Sequence, residues 1–275
     1  MSAPIQSLLY TLQIADTILI HAQRLGEWCG HGPILEQDIA LTNTALDHLG
    51  AARSLYQYAA EQYNSLSESE KQEVFSSPAL SQVRVTRDQV EEDDLAYLRD
   101  SWDFHNVLLV EQENDDWAYT IAKCFFLDVF NFYFYTALQN STDSLLASVA
   151  EKSLKEVGYH LKWSSEWVIR LGDGTLESQL RMQQAVNDRW AFTGELFLPS
   201  ETDIIALQQS YGVDLAAINP LWEAKVSQVF QMAGIKIPDN QWMQEGGKKG
   251  MHSEHLGYIL AEMQYLQRAY PGMEW

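Results

Sequence analysis

Hydrophobic positions repeat every three to four residues along most of the chain, which is the period of an amphipathic α-helix. In the first segment this pattern is carried by Leu8, Leu12, Ala15, Leu19 and Ala22. A run of glycines and a proline at 30–33 predicts the end of this helix near Gly30. A second helix is predicted from about Leu35 to Tyr63, with apolar positions at Ile39, Leu46, Leu49, Leu55 and Tyr58. Its predicted length, roughly 43 Å, is typical of a helical bundle.

Two more long helices are predicted in the middle of the chain. Asn114–Asp116 resembles a helix start, and the segment that follows to Leu138 is hydrophobic enough to be buried on nearly all sides. Ser141–Asp143 opens the next helix, which extends to about Arg170 before a glycine-rich turn. The second and third long helices are separated by a polar segment at about 64–92, which we interpret as a surface excursion or as a short helix plus loop.

Shorter helices complete the predicted architecture, and no alternating strand pattern competes with them. They are expected at about 93–103, 175–190, 203–211, 214–232 and 252–270. The sequence therefore predicts an all-α fold in which a four-helix bundle and satellite helices form a single domain over residues 1–275, with the excursion at 64–92.

Charge and cysteine content restrict the partners and the compartment. The chain carries 18 Lys and Arg against 38 Asp and Glu, a net charge of −20. Such a surface repels nucleic acid and anionic membranes and would attract a basic patch on a protein, although it could serve solubility alone. We expect Cys29 and Cys124 to be reduced and buried. No signal peptide or membrane span is recognisable, so we expect a cytoplasmic protein.

A four-helix bundle raises the question of a di-iron site. Ferritin-like di-iron proteins take a Glu from each of two helices and a Glu-x-x-His pair from each of the other two, because residues three apart share a helix face. None of the 7 histidines here has an acidic residue three positions before it. One acid remains on each long helix, and a histidine lies near the last of them: Glu27, Asp47, Asp128, Glu156 and His160. We interpret these as degenerate di-iron positions, and the alternative is an irregular ligand set.

Without metal, the buried acids need other partners. Lys152, Glu156 and His160 are spaced by four residues, so Lys152 or a protonated His160 would neutralise Glu156 in the core. Asp128 would form a hydrogen bond with Asn131 in the same way. The simplest expectation for Glu27 is exposure at a helix end.

Long blocks of the sequence resemble the structural subunits of bacterial ring-1,2-phenylacetyl-CoA epoxidases, also called phenylacetate-CoA oxygenases. The resemblance extends from about residue 8 to the end and departs at 64–92. It is carried by RLGEWCGHGPILEQDIALTNTALDHLG, EEDDLAYLRD, VLLVEQENDDWAYTIAKCFFLD, EVGYHLKWSSEWVIRLGDGT and GGKKGMHSEHLGYILAEMQYLQRAYPG.

This resemblance implies a ferritin-like, non-catalytic subunit of a complex that epoxidises the ring of phenylacetyl-CoA during aerobic phenylacetate degradation. Iron would belong to a related catalytic subunit, and NADPH, flavin and iron–sulfur groups to a reductase subunit. This chain would have no catalytic residue and no cofactor of its own. Our candidates for the subunit interface are Trp28 and His31 at the first corner, and His255 and Tyr258 in the last helix. The alternatives are an active di-iron oxygenase subunit and a stand-alone ferritin-like binding protein.

Overall fold

Helices and the turns between them account for the structure, a computed structural model that describes residues 1–86, 89–239, 242–270 and 273. No strand occurs among these residues, which confirms the all-α prediction. The helices are α1 (Ala3–Glu27), α2 (Leu35–Ser65), α3 (Glu68–Val74), α4 (Pro78–Thr86), α5 (Glu92–Tyr97), α6 (Trp117–Leu138), α7 (Ser144–Gly172), α8 (Leu176–Trp190), α9 (Glu201–Gln208), α10 (Leu215–Ala233), α11 (Glu254–Met263) and α12 (Tyr265–Ala269).

The four long helices form two tightly packed pairs. Helix α1 packs along α2, helix α6 packs along α7, and contacts between α2 and α7 join the pairs. The shorter α8 and α10 cover α6 and α7, while α9 and α11 pack against α1. The polar groups that matter below lie where α1, α2, α6 and α7 face one another.

The two predicted helix starts in the middle of the chain are confirmed by their capping bonds. The carboxylate of Asp116 accepts hydrogen bonds from the first amides of α6, and Asp143 does the same for α7. These caps satisfy amides that have no partner inside the helix. The polar excursion contains two short helices, α3 and α4. The amides of Ser76 and Ser77 donate to the carboxylate of Asp103 and tie the excursion to the body of the protein.

The corner between α1 and α2 requires its glycines. Gly30 has a φ of +90°, and a Cβ on Gly32 would lie 2.8 Å from the backbone of Asp38. The Asp38 carboxylate accepts from both glycine amides, at 2.8 and 3.1 Å. Cys29 lies in this corner and is exposed, so the prediction that it is buried is wrong because α1 ends at Glu27. Cys124 is buried as predicted.

Only part of the apolar pattern predicted for α2 faces the core, since Leu55 is buried and Tyr58 half-buried. Ile39, Leu46 and Leu49 are between 39% and 58% exposed. Together with Leu35, which is 70% exposed, they lie on one outer face of the helix, and we call these four residues the α2 stripe. The buried face carries alanines, leucines, tyrosines and a histidine: Leu41, Ala45, His48, Ala52, Leu55, Tyr56, Ala59 and Tyr63.

A buried ion pair fixes α1 against the segment that follows α5. Arg99 and Asp16 are both fully buried and in contact, with Arg99 Nη1 also 3.2 Å from Asp16 Oδ2. The Asp16 carboxylate also accepts hydrogen bonds from the Tyr56 hydroxyl at 2.5 Å and from the His105 amide at 2.9 Å. Arg99 also donates to the carbonyl of Asp103 at 2.6 Å. Because both charges are fully hydrogen-bonded, the pair is tolerated in the core.

Helix α6 is long and apolar enough to cross a membrane, judged by length and composition alone. In this fold, however, 78% of its most apolar window is buried inside the protein. Core helices of soluble proteins have the same composition, so the feature is explained by packing in the bundle.

A second buried acid, Glu111, gives a prediction about pH. His252 Nδ1 lies 2.6 Å from Glu111 Oε1, and Nε2 lies 2.9 Å from the carbonyl oxygen of Phe104. Burial disfavours the charged ring, but the carboxylate and the carbonyl outweigh burial and raise the pKa of His252 above its usual value.

The stability that this pair contributes is therefore complete below pH 6.5 and lost as the pH rises through the folded-state pKa. We expect a His252→Gln variant to show a smaller loss of unfolding free energy between pH 6 and pH 9 than the wild type, by about 1–3 kcal/mol. Urea unfolding across this range would measure the effect. Equal pH slopes for the two proteins would contradict it.

Candidate functional site

Three histidines from three helices meet in the core of the bundle. His21 of α1, His48 of α2 and His160 of α7 are each 3% exposed or less. The ring centroids of His21 and His48 are 5.1 Å apart, and those of His48 and His160 are 5.0 Å apart. The three rings therefore form a continuous buried row across the bundle, which we call the histidine cluster.

Asp128 of α6 brings a carboxylate to this cluster. One potential ligand atom from each of His48, Asp128 and His160 lies within 4.8 Å of the other two. Within the described part of the chain, neither oxygen of Asp128 has a hydrogen-bond partner. The same holds for His48 Nε2, for His160 Nδ1 and for both ring nitrogens of His21. Buried polar atoms without a hydrogen-bond partner are rare in protein cores.

A second carboxylate, Asp47, connects the cluster to the surface. Asp47 Oδ2 lies 2.9 Å from His160 Nε2, and the Asp47 side chain is 38% exposed. It opens onto a groove of about 110 Å³ between α2 and α7, which is also lined by Gly50, Lys152 and Glu156. A carboxylate in this position favours the ring tautomer in which Nε2 carries the proton, which leaves Nδ1 as a free acceptor.

Burial dominates the electrostatics of the cluster. It raises the pKa of Asp128 to about 6, although the neighbouring His160 and Ser164 favour the ionised form. Burial, and then the neighbouring His160, lowers the pKa of His48 to about 3, and burial also moves the pKa of His21 well below its usual value. Desolvation penalises the charged form of each group, so the uncharged state is favoured for both histidines near neutral pH.

The structure brings together only part of the predicted set. Asp47, Asp128 and His160 meet, whereas Glu156 lies half-buried on the groove side, where burial and then the charge of Asp47 raise its pKa. Glu27 is exposed at the end of α1 and pairs with Arg24 at 2.7 Å.

One predicted partnership is wrong, and the other lies at the groove instead of in the core. Lys152 is exposed beside the half-buried Glu156, where the charges of Lys152 and His160 oppose the rise in the pKa of Glu156. The hydrogen bond of His160 joins it to Asp47. Asp128 and Asn131 form no hydrogen bond with each other, and both have unpartnered polar atoms among the described residues. Residues three apart share one side of a helix, but this spacing alone does not bring two short side chains into contact.

Comparison with known proteins places the chain in a family. The model of the family described as phenylacetic acid catabolic protein matches residues 4–275. The chain belongs to this family. It is 44% identical over 266 residues to one of the subunits of the 1,2-phenylacetyl-CoA epoxidase of Escherichia coli (strain K12), covering 97% of this chain and 98% of that protein.

A solved structure supports the fold of this family member independently. A protein with aldehyde deformylating oxidase activity from Synechococcus superposes with a TM-score of 0.50 at 12% identity, covering 86% of this chain and 93% of that chain. At this identity the likeness concerns the fold alone. The ferritin-like, all-α architecture predicted from the sequence is confirmed.

The cluster of this family member does not fit a di-iron centre. Such centres in ferritin-like bundles need about four carboxylates and two histidines from the core helices. Among the residues that the structure describes, three histidines are gathered with one free carboxylate, Asp128, while Asp47 is already bonded to His160. Too few carboxylate oxygens remain to bridge two metal ions, so no step of oxygen chemistry is assigned to these residues.

The four interface candidates occupy two separate places. Trp28 is half-buried and stacks on His31, which is exposed, with centroids 5.8 Å apart. Tyr258 on α11 is 65% exposed, and His255 lies 3.7 Å from Glu113. The α1–α2 corner leads directly into the α2 stripe, which gives the first pair an apolar continuation along α2.

His21 and His48 are the site residues that sequence reasoning missed. The di-iron spacing requires an acidic residue three positions before each histidine, and neither residue has one. Helical spacing could have identified His48 as a buried residue. It occupies a position in the otherwise apolar series Leu41, Ala45, His48, Ala52 and Leu55.

Proposed function

We propose that this chain is the non-catalytic structural subunit of a multicomponent di-iron monooxygenase that epoxidises the ring of phenylacetyl-CoA. The observation that carries the proposal is the composition of the bundle core, where the histidine cluster and one free carboxylate replace the carboxylates that a di-iron centre requires. Membership of the phenylacetic acid catabolic family and the epoxidase name of the relative supply the substrate class.

The partners follow from the same relative, which is named as one subunit of an epoxidase. The proposed partner is a ferritin-like catalytic subunit that holds the iron and the substrate. Electrons would reach it from NADPH through a reductase subunit with flavin and iron–sulfur groups. The complex would work in the cytoplasm, and this chain would bring no cofactor for the reaction.

The α2 stripe is the surface proposed for docking the catalytic subunit. Leu35, Ile39, Leu46 and Leu49 present large apolar side chains along one face of a long helix. Exposed apolar rows of this kind mark protein interfaces, because burying them on a partner removes apolar surface from water. The occupant we propose is the related helical bundle, whose own long helices can pack against this face.

A variant at the groove tests whether this chain holds the reaction centre. Glu156→Ala is expected to leave phenylacetyl-CoA-dependent oxygen consumption of the reconstituted complex within about threefold of the wild type. If Glu156 were instead part of an irregular di-iron ligand set, its loss would lower turnover by about 100-fold.

The matched control is Glu166→Ala, an exposed glutamate on the same helix α7. Size-exclusion chromatography should show intact complexes for both variants before turnover is compared. A selective loss of turnover in Glu156→Ala, with the complex intact, would overturn the non-catalytic role.

A further inference from the structure

The histidine cluster and Asp128 bring together several potential metal-ligand atoms that have no hydrogen-bond partner in the described core. Asp128 is fully buried, and neither of its oxygens has a hydrogen bond of good geometry among the described residues, although the Ser164 hydroxyl lies near enough to favour the ionised carboxylate. His48 Nε2 and His160 Nδ1 are likewise without a partner there. An ionised carboxylate in this condition costs several kcal/mol unless a positive charge lies beside it or it takes up a proton.

We propose that His48, Asp128 and His160 form a mononuclear site for a first-row divalent cation of the Zn²⁺ class. Their ligand atoms lie within 4.8 Å of one another. Small side-chain adjustments would place all three at the roughly 2.0–2.2 Å bond lengths of a zinc site. Two imidazoles and one carboxylate favour zinc, iron or nickel over magnesium and calcium, which prefer oxygen ligands.

The surroundings of the three ligands also have the features of a metal site. Asp47 Oδ2 lies 2.9 Å from His160 Nε2, which is the carboxylate–histidine contact that orients a metal-bound imidazole and strengthens its free nitrogen. His21 packs edge-on against His48 with both nitrogens unpartnered among the described residues, and it lies outside the group of three whose ligand atoms approach one another. The groove between α2 and α7 reaches Asp47, the residue bonded to His160.

This site differs from a di-iron centre in the number of metal ions, in its ligands and in its role. One ion held by residues from α2, α6 and α7 would link three of the four long helices and stabilise the bundle. The inference goes beyond the proposed function and does not depend on it, since a structural ion would stabilise the chain whether or not a catalytic partner binds.

Cobalt is the probe for the test, because Co²⁺ in a histidine–carboxylate site gives visible absorption bands that report its ligands. The full-length chain would be stripped with a chelator in mild denaturant, refolded and titrated with Co²⁺. We expect about one Co²⁺ per chain, displacement by Zn²⁺, and a melting temperature that rises with free metal concentration. A wild-type chain that binds no Co²⁺ or Zn²⁺, with its melting temperature unchanged, would overturn the proposal.

Variants identify the ligands. Asp128→Asn is isosteric and should weaken Co²⁺ binding by at least about tenfold, and Asp47→Asn by about 10–100-fold through the orientation of His160. The control is His31→Gln, which removes an exposed histidine outside the cluster and should leave binding unchanged. If Asp128→Asn bound Co²⁺ with wild-type affinity and spectrum, the ion would lie elsewhere and the assignment would fail. Should Asp128→Asn not fold, the Asp47→Asn titration makes the same decision.

Discussion

The free energy of unfolding of an Arg99→Met variant is expected to be about 3–5 kcal/mol lower than that of the wild type. The substitution leaves the Asp16 carboxylate fully buried without its positive partner, and the Tyr56 hydroxyl and His105 amide cannot replace that charge. The carbonyl of Asp103 also loses its donor. Methionine is an unbranched apolar side chain that fills much of the same space, so lost packing accounts for little of the change.

Urea or thermal unfolding measures this effect, and Arg181→Met on α8 is the control. Arg181 pairs on the surface with Glu177 at 2.8 Å and with Asp116 at 3.6 Å, and it is 59% exposed, so its removal should cost no more than about 1 kcal/mol. Equal losses of stability in the two variants would show that the Asp16–Arg99 pair contributes nothing special to the fold.

A double substitution on the α2 stripe is expected to weaken binding of the catalytic subunit by at least about tenfold. Leu35 and Ile39 are the first and fifth residues of α2 and are 70% and 50% exposed, so Leu35→Ser with Ile39→Ser changes little in the isolated chain. In the complex these side chains would be buried, and each large aliphatic residue contributes about 1.5–3 kcal/mol when fully buried. Isothermal titration or co-purification with the catalytic subunit gives the affinity.

The chain offers a closely matched control on α8. Leu176 and Leu180 are also the first and fifth residues of their helix, and they are 72% and 61% exposed. Leu176→Ser with Leu180→Ser should leave the affinity unchanged. Equal affinities for the two double variants would place the interface away from the stripe, whereas a loss confined to the α8 pair would move it to the surface around α8.

The fold was predictable because each long helix carries its own local signals. The caps Asp116 and Asp143, the glycine corner after α1 and the helical period of the apolar residues all act within a few residues of the helix ends they determine. The excursion at 64–92 was harder to predict. Its order depends on long-range bonds such as those from Ser76 and Ser77 to Asp103, which no local pattern reveals.

The face that α2 buries was not predictable from the sizes of its residues alone. Large aliphatic residues lie on both sides of the helix, because Leu41 and Leu55 are buried while the α2 stripe is exposed. Core packing explains the apolar residues on the buried side, and the proposed docking of a partner would explain those on the exposed side.

The candidate site was only partly predictable for a related reason. Asp47, Asp128 and His160 could be picked out because each is a ligand-type residue on a core helix. Their partners could not, since the pairing of Asp47 with His160 depends on how α2 and α7 align, and the row from His21 to His160 depends on three helices at once.

The iron content of the isolated chain tests the central claim most directly. The full-length protein would be expressed alone in iron-replete medium and its iron measured per chain by elemental analysis. A supporting subunit with too few carboxylates for a di-iron centre should hold far fewer than two iron ions, and at most one divalent ion of any kind in the histidine cluster. Close to two iron ions per chain would contradict the account and make this subunit an oxygenase in its own right.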